Sequence, residues 1–200
     1  MTIIFLAAGL SRRMGNANKL LLPYGDGTIV QTTLEKILVA DIGNIIVVVG
    51  HEADKVKSVL EKYSVLSFVR NPKFSEGMTS SIQAGLNEAK NDSEGYMICL
   101  SDMVFIKPEE YKQIAEFFLE ALKNDAQCIV QPQFNGIPGN PIVFSNFYKT
   151  EIAEHKNPEG CREIVQKHNS HLKKIDMSTD NILRDIDDRE EYNESIKYNV

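Results

Sequence analysis

The sequence predicts an α/β fold, a doubly wound, mostly parallel sheet with helices on both faces, in one domain spanning 1–200. Three observations predict it. Short apolar runs rich in β-branched residues recur, at Ile3-Ile4-Phe5-Leu6, Ile45-Ile46-Val47-Val48-Val49 and Tyr96-Met97-Ile98-Cys99-Leu100; such runs read as strands buried on both faces. Between them apolar residues fall at helical spacing, so strand and helix alternate as they do when crossover helices join parallel strands. The first run ends in small residues and a loop carrying two glycines, two arginines and a lysine. That loop would emerge at the carboxyl end of the first strand, where open α/β sheets bind ligands.

Taken in order, the first element is this strand and its loop, Leu6-Ala7-Ala8-Gly9-Leu10-Ser11-Arg12-Arg13-Met14-Gly15, with Lys19 beyond. Gly9 and Gly15 let main-chain N–H groups approach anionic oxygens, and Arg12, Arg13 and Lys19 supply positive charge, the chemistry of a polyphosphate grip. A solvated basic turn has the same composition. Spacing excludes two other phosphate loops. The Walker pattern needs four residues between its glycines and Lys-Ser/Thr after the second, whereas here five intervene and Asn16 follows Gly15. The dinucleotide pattern needs glycine where Ser11 stands.

Thr28 to Ala40 predicts a helix with Thr28 as N-cap; a strand over 44–50, a helix over 53–63 and a strand over 66–70 follow. Asn71 to Leu86 is a loop turning into a helix, and Ser80 with Gln83 fits a capping box. The strand over 96–100 then ends on Ser101-Asp102. Asp102 could be a turn residue, but the next helix begins only at Pro108-Glu109-Glu110, so capping it is not Asp102's task. Mg²⁺ binds through one or two carboxylates plus substrate phosphates, and Asp102 lies at the carboxyl edge where a triphosphate would meet it.

The helix over 109–123 presents Ile114, Phe117, Phe118 and Leu122 as a packing stripe, and a strand over 127–131 follows. A turn-rich loop, Gln131 to Pro141, then runs into a strand through Phe144. Arg162 precedes a helix through Lys167 and could reach a phosphate, or be a solvated helix arginine. Ile182 to Asp187 reads as a short strand turning into an acidic helix with Asp188 as N-cap.

The composition narrows the function. A net charge of −6 argues against a nucleic-acid duplex as partner, though not against a nucleotide held by local cations. No apolar run approaches membrane-spanning length and the N-terminus enters a strand without a charged leader, so the expectation is a cytoplasmic protein with no signal peptide. Cys99, Cys128 and Cys161 fit no metal pattern and read as reduced thiols, and His168 with His171 lacks further ligands, so neither zinc nor iron is assigned.

The loop Ala7 to Gly15, with Lys19 and Leu20-Leu21-Leu22-Pro23 behind it, resembles the signature of the nucleotidyltransferases that attach a nucleotide to the molybdenum cofactor. The resemblance implies that the loop holds a nucleoside triphosphate and that Arg13 and Lys19 neutralise its phosphates. Asn71-Pro72 to Ser81 resembles the family's Asn-Pro...Gly-Met...Ser stretch, which implies that Gly77 and Ser81 lie against the nucleoside. Ser101-Asp102-Met103-Val104 matches a Gly-Asp-Met/Gln-Pro motif at Asp102 and Met103. Ile137-Pro138-Gly139-Asn140-Pro141 is similar to a Gly-x-Pro-Gly-His-Pro segment facing the second substrate, with Asn140 in place of histidine; Asn can hydrogen-bond but carries no charge.

Asp185-Ile186-Asp187 resembles a family ending whose last aspartate helps hold the metal, and only Asp187 maps to that role. Asp102 and Asp187 are therefore the implied metal ligands, with Mg²⁺ or Mn²⁺ as cofactor, Arg13, Lys19 and Asp102 as the catalytic set, and Gly139, Asn140, Pro141 and Arg162 on the acceptor side. CTP, the molybdopterin cofactor and a client molybdoenzyme are the implied partners, since the loop is closer to the cytidylyltransferase branch than to the guanylyltransferase branch. A guanylyl- or sugar-phosphate nucleotidyltransferase on the same fold is the alternative, and a non-catalytic nucleotide- or cofactor-binding chaperone is the alternative from another class.

Overall fold

The computed structural model describes residues 1–15 and 17–197, the side chain of Arg12 excepted. In chain order the strands are β1 (Thr2–Ala7), β2 (Pro23–Tyr24), β3 (Gly27–Thr28), β4 (Asn44–Val49), β5 (Leu66–Arg70), β6 (Gly95–Leu100), β7 (Ile129–Phe134), β8 (Ile137–Pro138), β9 (Ile142–Ser145) and β10 (Leu172–Asp176). The α-helices are α1 (Ile29–Ala40), α2 (Ala53–Leu60), α3 (Met78–Glu88), α4 (Pro108–Asn124), α5 (Lys149–Glu154), α6 (Arg162–Lys167) and α7 (Arg189–Lys197). The main sheet runs β10-β7-β9-β6-β1-β4-β5, with β8 hairpinned to β7.

The order carries the functional consequence. From β1 the chain winds outward through β4 and β5 and then returns to place β6 on the other side of β1. The gap above the carboxyl ends of β1 and β6 is thus a topological switch point, the site open α/β sheets use for ligands. All of these pairings are parallel, as expected; the antiparallel strands of the main sheet are β9, against both β6 and β7, and β8, against β7.

Strand alternation divides the core in two. Ile3, Phe5, Val47, Val49, Met97 and Cys99 pack with α1, α2 and α4 on one face, while Ile4, Leu6, Ile46, Val48, Tyr96 and Ile98 pack with α3, α5 and α6 on the other. This double coverage is why the strands read as unbroken apolar runs. Gly85 permits the closeness of α3, since a Cβ there would lie 2.4 Å from Ile4 Cγ2.

Several expectations are corrected. The capping box at Ser80 does not form, because α3 begins at Met78 with Gly77 as its N-cap at φ 116°; a Cβ on Gly77 would lie 2.5 Å from the Pro158 carbonyl oxygen. Ser80 bonds back to the Gly77 carbonyl, and Gln83 reaches the carbonyls of Ile152, Ala153 and His155. On α4 the buried stripe is Tyr111, Ile114, Ala115 and Phe118, with Phe117 at the solvent edge. The strand expected near Ile182 is a 3₁₀ turn, Asp180–Leu183, whose N-cap Thr179 accepts from the Asn181 N–H. The strand that does form there, β10, was not expected: Lys173 and Lys174 interrupt its apolar pattern, as at sheet edges that avoid further pairing. Thr28 and Asp188 cap α1 and α7 as anticipated.

Candidate active site

A cleft of about 580 Å³ opens above β1 and β6. Its floor is made by strand ends: Leu6 pairs with Leu100, and the buried Ser101 hydroxyl donates to the Leu6 carbonyl at 2.6 Å, fastening the two ends together. Serine in the position where the motif has glycine therefore acts as a tie. Val104, where the motif has proline, is buried, and its carbonyl accepts the Lys36 ammonium.

The loop leaving β1 folds on itself. Ser11 stands at φ 51°, its carbonyl takes the Met14 N–H at 2.9 Å, and its hydroxyl oxygen takes the Lys19 N–H at 3.1 Å. Asn18 Oδ1 accepts the Leu20 N–H, and Met14 inserts into the core. These contacts bring Lys19 back over the strand ends. Its ammonium reaches Asp102 Oδ2 at 2.6 Å and Asp187 Oδ1 at 2.9 Å, while Arg13 pairs with Asp187 Oδ2.

Of the expected nucleotide-binding residues, Leu6, Ala8, Gly9, Ser11, Arg13, Lys19, Gly77 and Ser81 line the cleft. Ala7 and Met14 lie in the core beneath it, Gly15 closes the turn at φ 68°, and the side chain of Arg12 falls outside the described residues. Phe74, Ser75 and Met78 also line the cleft. Buried Asn71 donates to Ser80 and Ser81 from below, which fixes the hydroxyl of Ser81.

The acceptor-side residues lie elsewhere. Gly139, Asn140 and Pro141 are not in the cleft lining; Gly139 abuts Ile182, and the Asn140 N–H donates to the Ile182 carbonyl at 3.0 Å. Arg162 lines a separate recess of about 190 Å³ with Asn157, Glu159 and Glu163, and is not brought to the cleft.

Asp102 and Asp187, far apart in the chain, do converge, and Asp185 joins them, with one carboxylate oxygen from each lying within 4.8 Å of the others. Sequence reasoning missed Asp185. The available signal was spacing, since residues two apart on an extended segment face the same way. Buried Ile186 lies between them, and its N–H donates to the Asp102 carbonyl at 3.3 Å, which docks this segment against the end of β6.

The electrostatics follow from the crowding. Burial alone would lower the pKa of the Lys19 ammonium, but the charge of Asp102 and hydrogen bonds to Asp102 and Asp187 hold it above its ordinary value. Burial opposes ionisation of Asp187 too, yet Lys19 and Arg13 carry its carboxyl below the usual range. Asp185 is pushed up to about 6, by burial first and then by the charges of Asp102 and Asp187. Asp102 Oδ1 is buried with no hydrogen-bond partner among the described residues. An oxygen-only donor set with an unmet acceptor suits a hard divalent cation.

The chain is similar to known proteins over most of its length. The chain is 26% identical to the molybdenum cofactor cytidylyltransferase of Escherichia coli over 189 residues, 94% of this chain and 92% of that protein. It is 34% identical to a probable molybdenum cofactor guanylyltransferase of Methanosarcina mazei over 109 residues, 53% of this chain and 48% of that one. In fold it matches a nucleotidyl transferase from Methanothermobacter thermautotroptrophicus with a TM-score of 0.83 at 20% identity, covering 99% of this chain and 96% of that one. The MobA-like NTP transferase domain is matched over residues 3–172, so the chain belongs to that family and is a nucleotidyltransferase.

Proposed function

We propose that the protein transfers a cytidylyl group from CTP to the terminal phosphate of a molybdopterin cofactor and releases pyrophosphate. One observation carries this reading: Lys19 and Arg13 of the first loop meet Asp102 and Asp187 above the β1/β6 switch point. In this reading Gly9, Ser11, Arg13 and Lys19 receive the triphosphate, and Gly77 and Ser81 lie against the nucleoside. The acceptor enters from the side of the Gly139-Asn140-Pro141 turn.

Asp102, Asp185 and Asp187 would hold Mg²⁺ or Mn²⁺. When bound, that cation neutralises charge on the phosphate oxygens. An acceptor phosphate oxygen forms a bond to the α-phosphorus as the bond to the β-phosphate oxygen breaks, and the electron pair leaves with pyrophosphate. The acceptor is already anionic at neutral pH, so no general base is needed; the protein's share is positioning and charge compensation. Lys19 is suited to bind the leaving pyrophosphate, because its ammonium stays charged in a half-buried setting. We place the activity in the cytoplasm, in keeping with three buried free cysteines, and as one domain over 1–200 that would supply a client molybdoenzyme.

The full-length similarity to a cytidylyltransferase favours CTP, and the guanylyltransferase similarity keeps GTP as the second reading. Pyrophosphate release is the test, with protein, Mg²⁺ and molybdopterin cofactor mixed with CTP, with GTP, or with CTP and sugar phosphates replacing the cofactor. Release with CTP at least about tenfold faster than with GTP, a margin near 1.4 kcal/mol, is expected. Faster release with GTP would replace the nucleotide, release with sugar phosphates would replace the acceptor, and tight binding without release would make the protein a carrier.

A further inference from the structure

Glu110 is a carboxylate buried to 7% exposure in the first turn of α4, outside the cleft lining. Its Oε2 accepts the Lys107 N–H at 2.8 Å and Asn181 Nδ2 at 3.0 Å, and its Oε1 accepts the Thr179 hydroxyl. The first bond is the ordinary back-bond that a glutamate makes to a helix start. The other two are not: they reach 69 and 71 residues along the chain, to the segment that ends in Asp185 and Asp187. One side chain therefore ties the loop that follows Asp102 to the segment bearing the other two aspartates.

That segment lies outside the sheet: β10 ends at Asp176, and the chain then runs to Asp187 anchored by the buried Ile182 and Ile186 and by the pairing of Asp187 with Lys19 and Arg13. Its further contacts include Met177 N–H to the Gln133 carbonyl, Asn140 N–H to the Ile182 carbonyl, Ile186 N–H to the Asp102 carbonyl, and Arg184 over the Phe105 ring at 3.8 Å. It also lies beyond the family match, which ends at residue 172. A buried carboxyl group is costly to hold unless its oxygens are satisfied, and Glu110 is satisfied largely by this segment.

We propose that Glu110 is a positioning residue whose bonds to Thr179 and Asn181 set the placement of Asp185 and Asp187 against Asp102, and through it the affinity for the divalent cation. The proposal rests on reading these carboxylates as the cation site.

The test is Mn²⁺ titration of the full-length protein without nucleotide, with free Mn²⁺ read by electron paramagnetic resonance. Thr179→Val removes one donor to Glu110, together with the long 3.4 Å cap on the Asn181 N–H, and leaves the Lys107 bond of α4 in place. It is expected to weaken Mn²⁺ binding about 10-fold, the scale seen when groups that orient metal ligands are lost. Thr179→Ser, which keeps the hydroxyl, is expected to restore it, and Glu110→Gln to weaken it as Thr179→Val does. CTP affinity measured without metal is expected to be unchanged in all three. Equal Mn²⁺ affinity in wild type and Thr179→Val overturns this proposal and leaves the cation site standing; so does a metal-free CTP affinity that falls in step, which would mark general loosening. Wild-type protein that binds no Mn²⁺, or binds it no better than Asp102→Asn, removes the cation site and this proposal with it.

Discussion

The cationic and acidic walls of the cleft are built by different means. The cationic loop springs from β1, which has parallel neighbours on both sides and is buried from Thr2 to Ala7. Each fully buried Ile or Phe there contributes roughly 1.5–3 kcal/mol. The acidic wall is divided. Asp102 follows β6 and shares that support, but Asp185 and Asp187 ride on a segment outside the sheet, anchored by the buried Ile182 and Ile186 and by separate hydrogen bonds, each worth about 1 kcal/mol net. The difference teaches that charge can be changed on the C-terminal segment without unfolding the sheet, so its role can be read separately from stability.

Asp102→Asn tests the comparison most severely. It keeps the shape of the side chain and removes one of the carboxylates facing Lys19. Turnover should fall by about 10³, toward the upper end of what losing one electrostatic group costs, with circular dichroism unchanged. Near-normal turnover would remove Asp102 from the chemistry. Lys19→Met should lower turnover by about 10². It should also tighten Mn²⁺ binding in the absence of nucleotide, since Lys19 neutralises both Asp102 and Asp187. Weaker Mn²⁺ binding in that variant would show that Lys19 organises the carboxylates instead of competing for them.

How far the sequence revealed each wall follows from the same contrast. β1, β4 and β6 were legible because burial on both faces leaves almost no polar residue within them. Gly9, Arg13 and Lys19 were legible because their loop adjoins such a strand. Residues 172–186 were not. Two lysines mask β10 at the sheet edge, and the 3₁₀ turn over Asp180–Leu183 buries Ile182 and leaves Ile186 to a later contact, a spacing that reads as neither strand nor helix. Asp185 went unseen because its significance lies in meeting Asp102, a contact made across the sheet end. The N–H of Asn140 braces Ile182, a backbone role that residue type does not announce.

Asp185→Asn should weaken Mn²⁺ binding about 10-fold, and its pH behaviour sharpens the assignment. Asp185 is pushed up to about 6. Its folded-state pKa therefore exceeds that of the unfolded chain, so ionising it opposes folding; the penalty develops between the ordinary aspartate range and about 6, and is constant above. In metal-free protein the variant should melt at a higher temperature than wild type at pH 8, with the gap closing as pH falls toward 4. Cation binding needs the ionised form, so wild-type Mn²⁺ affinity should drop about tenfold per unit below pH 6. A melting gap independent of pH would show that Asp185 is not held neutral by its neighbours.

Arg162→Ala carries the smallest expected effect and probes the far side of α3. Arg162 belongs to a recess with Glu159 and Glu163, set apart from the cleft, and the segment before it contacts α3 through Pro158 and Gly160. An arginine with acidic neighbours at a solvent-facing recess contributes about 1 kcal/mol or less to any phosphate it does not touch. KM for the acceptor should therefore change less than about threefold, and kcat should hold. A rise of tenfold or more in acceptor KM, with KM for CTP unchanged, would place the acceptor's far end across the Gly77 cap and over this recess. The acidic segment and the Asn140 turn would then form only one edge of a longer acceptor path.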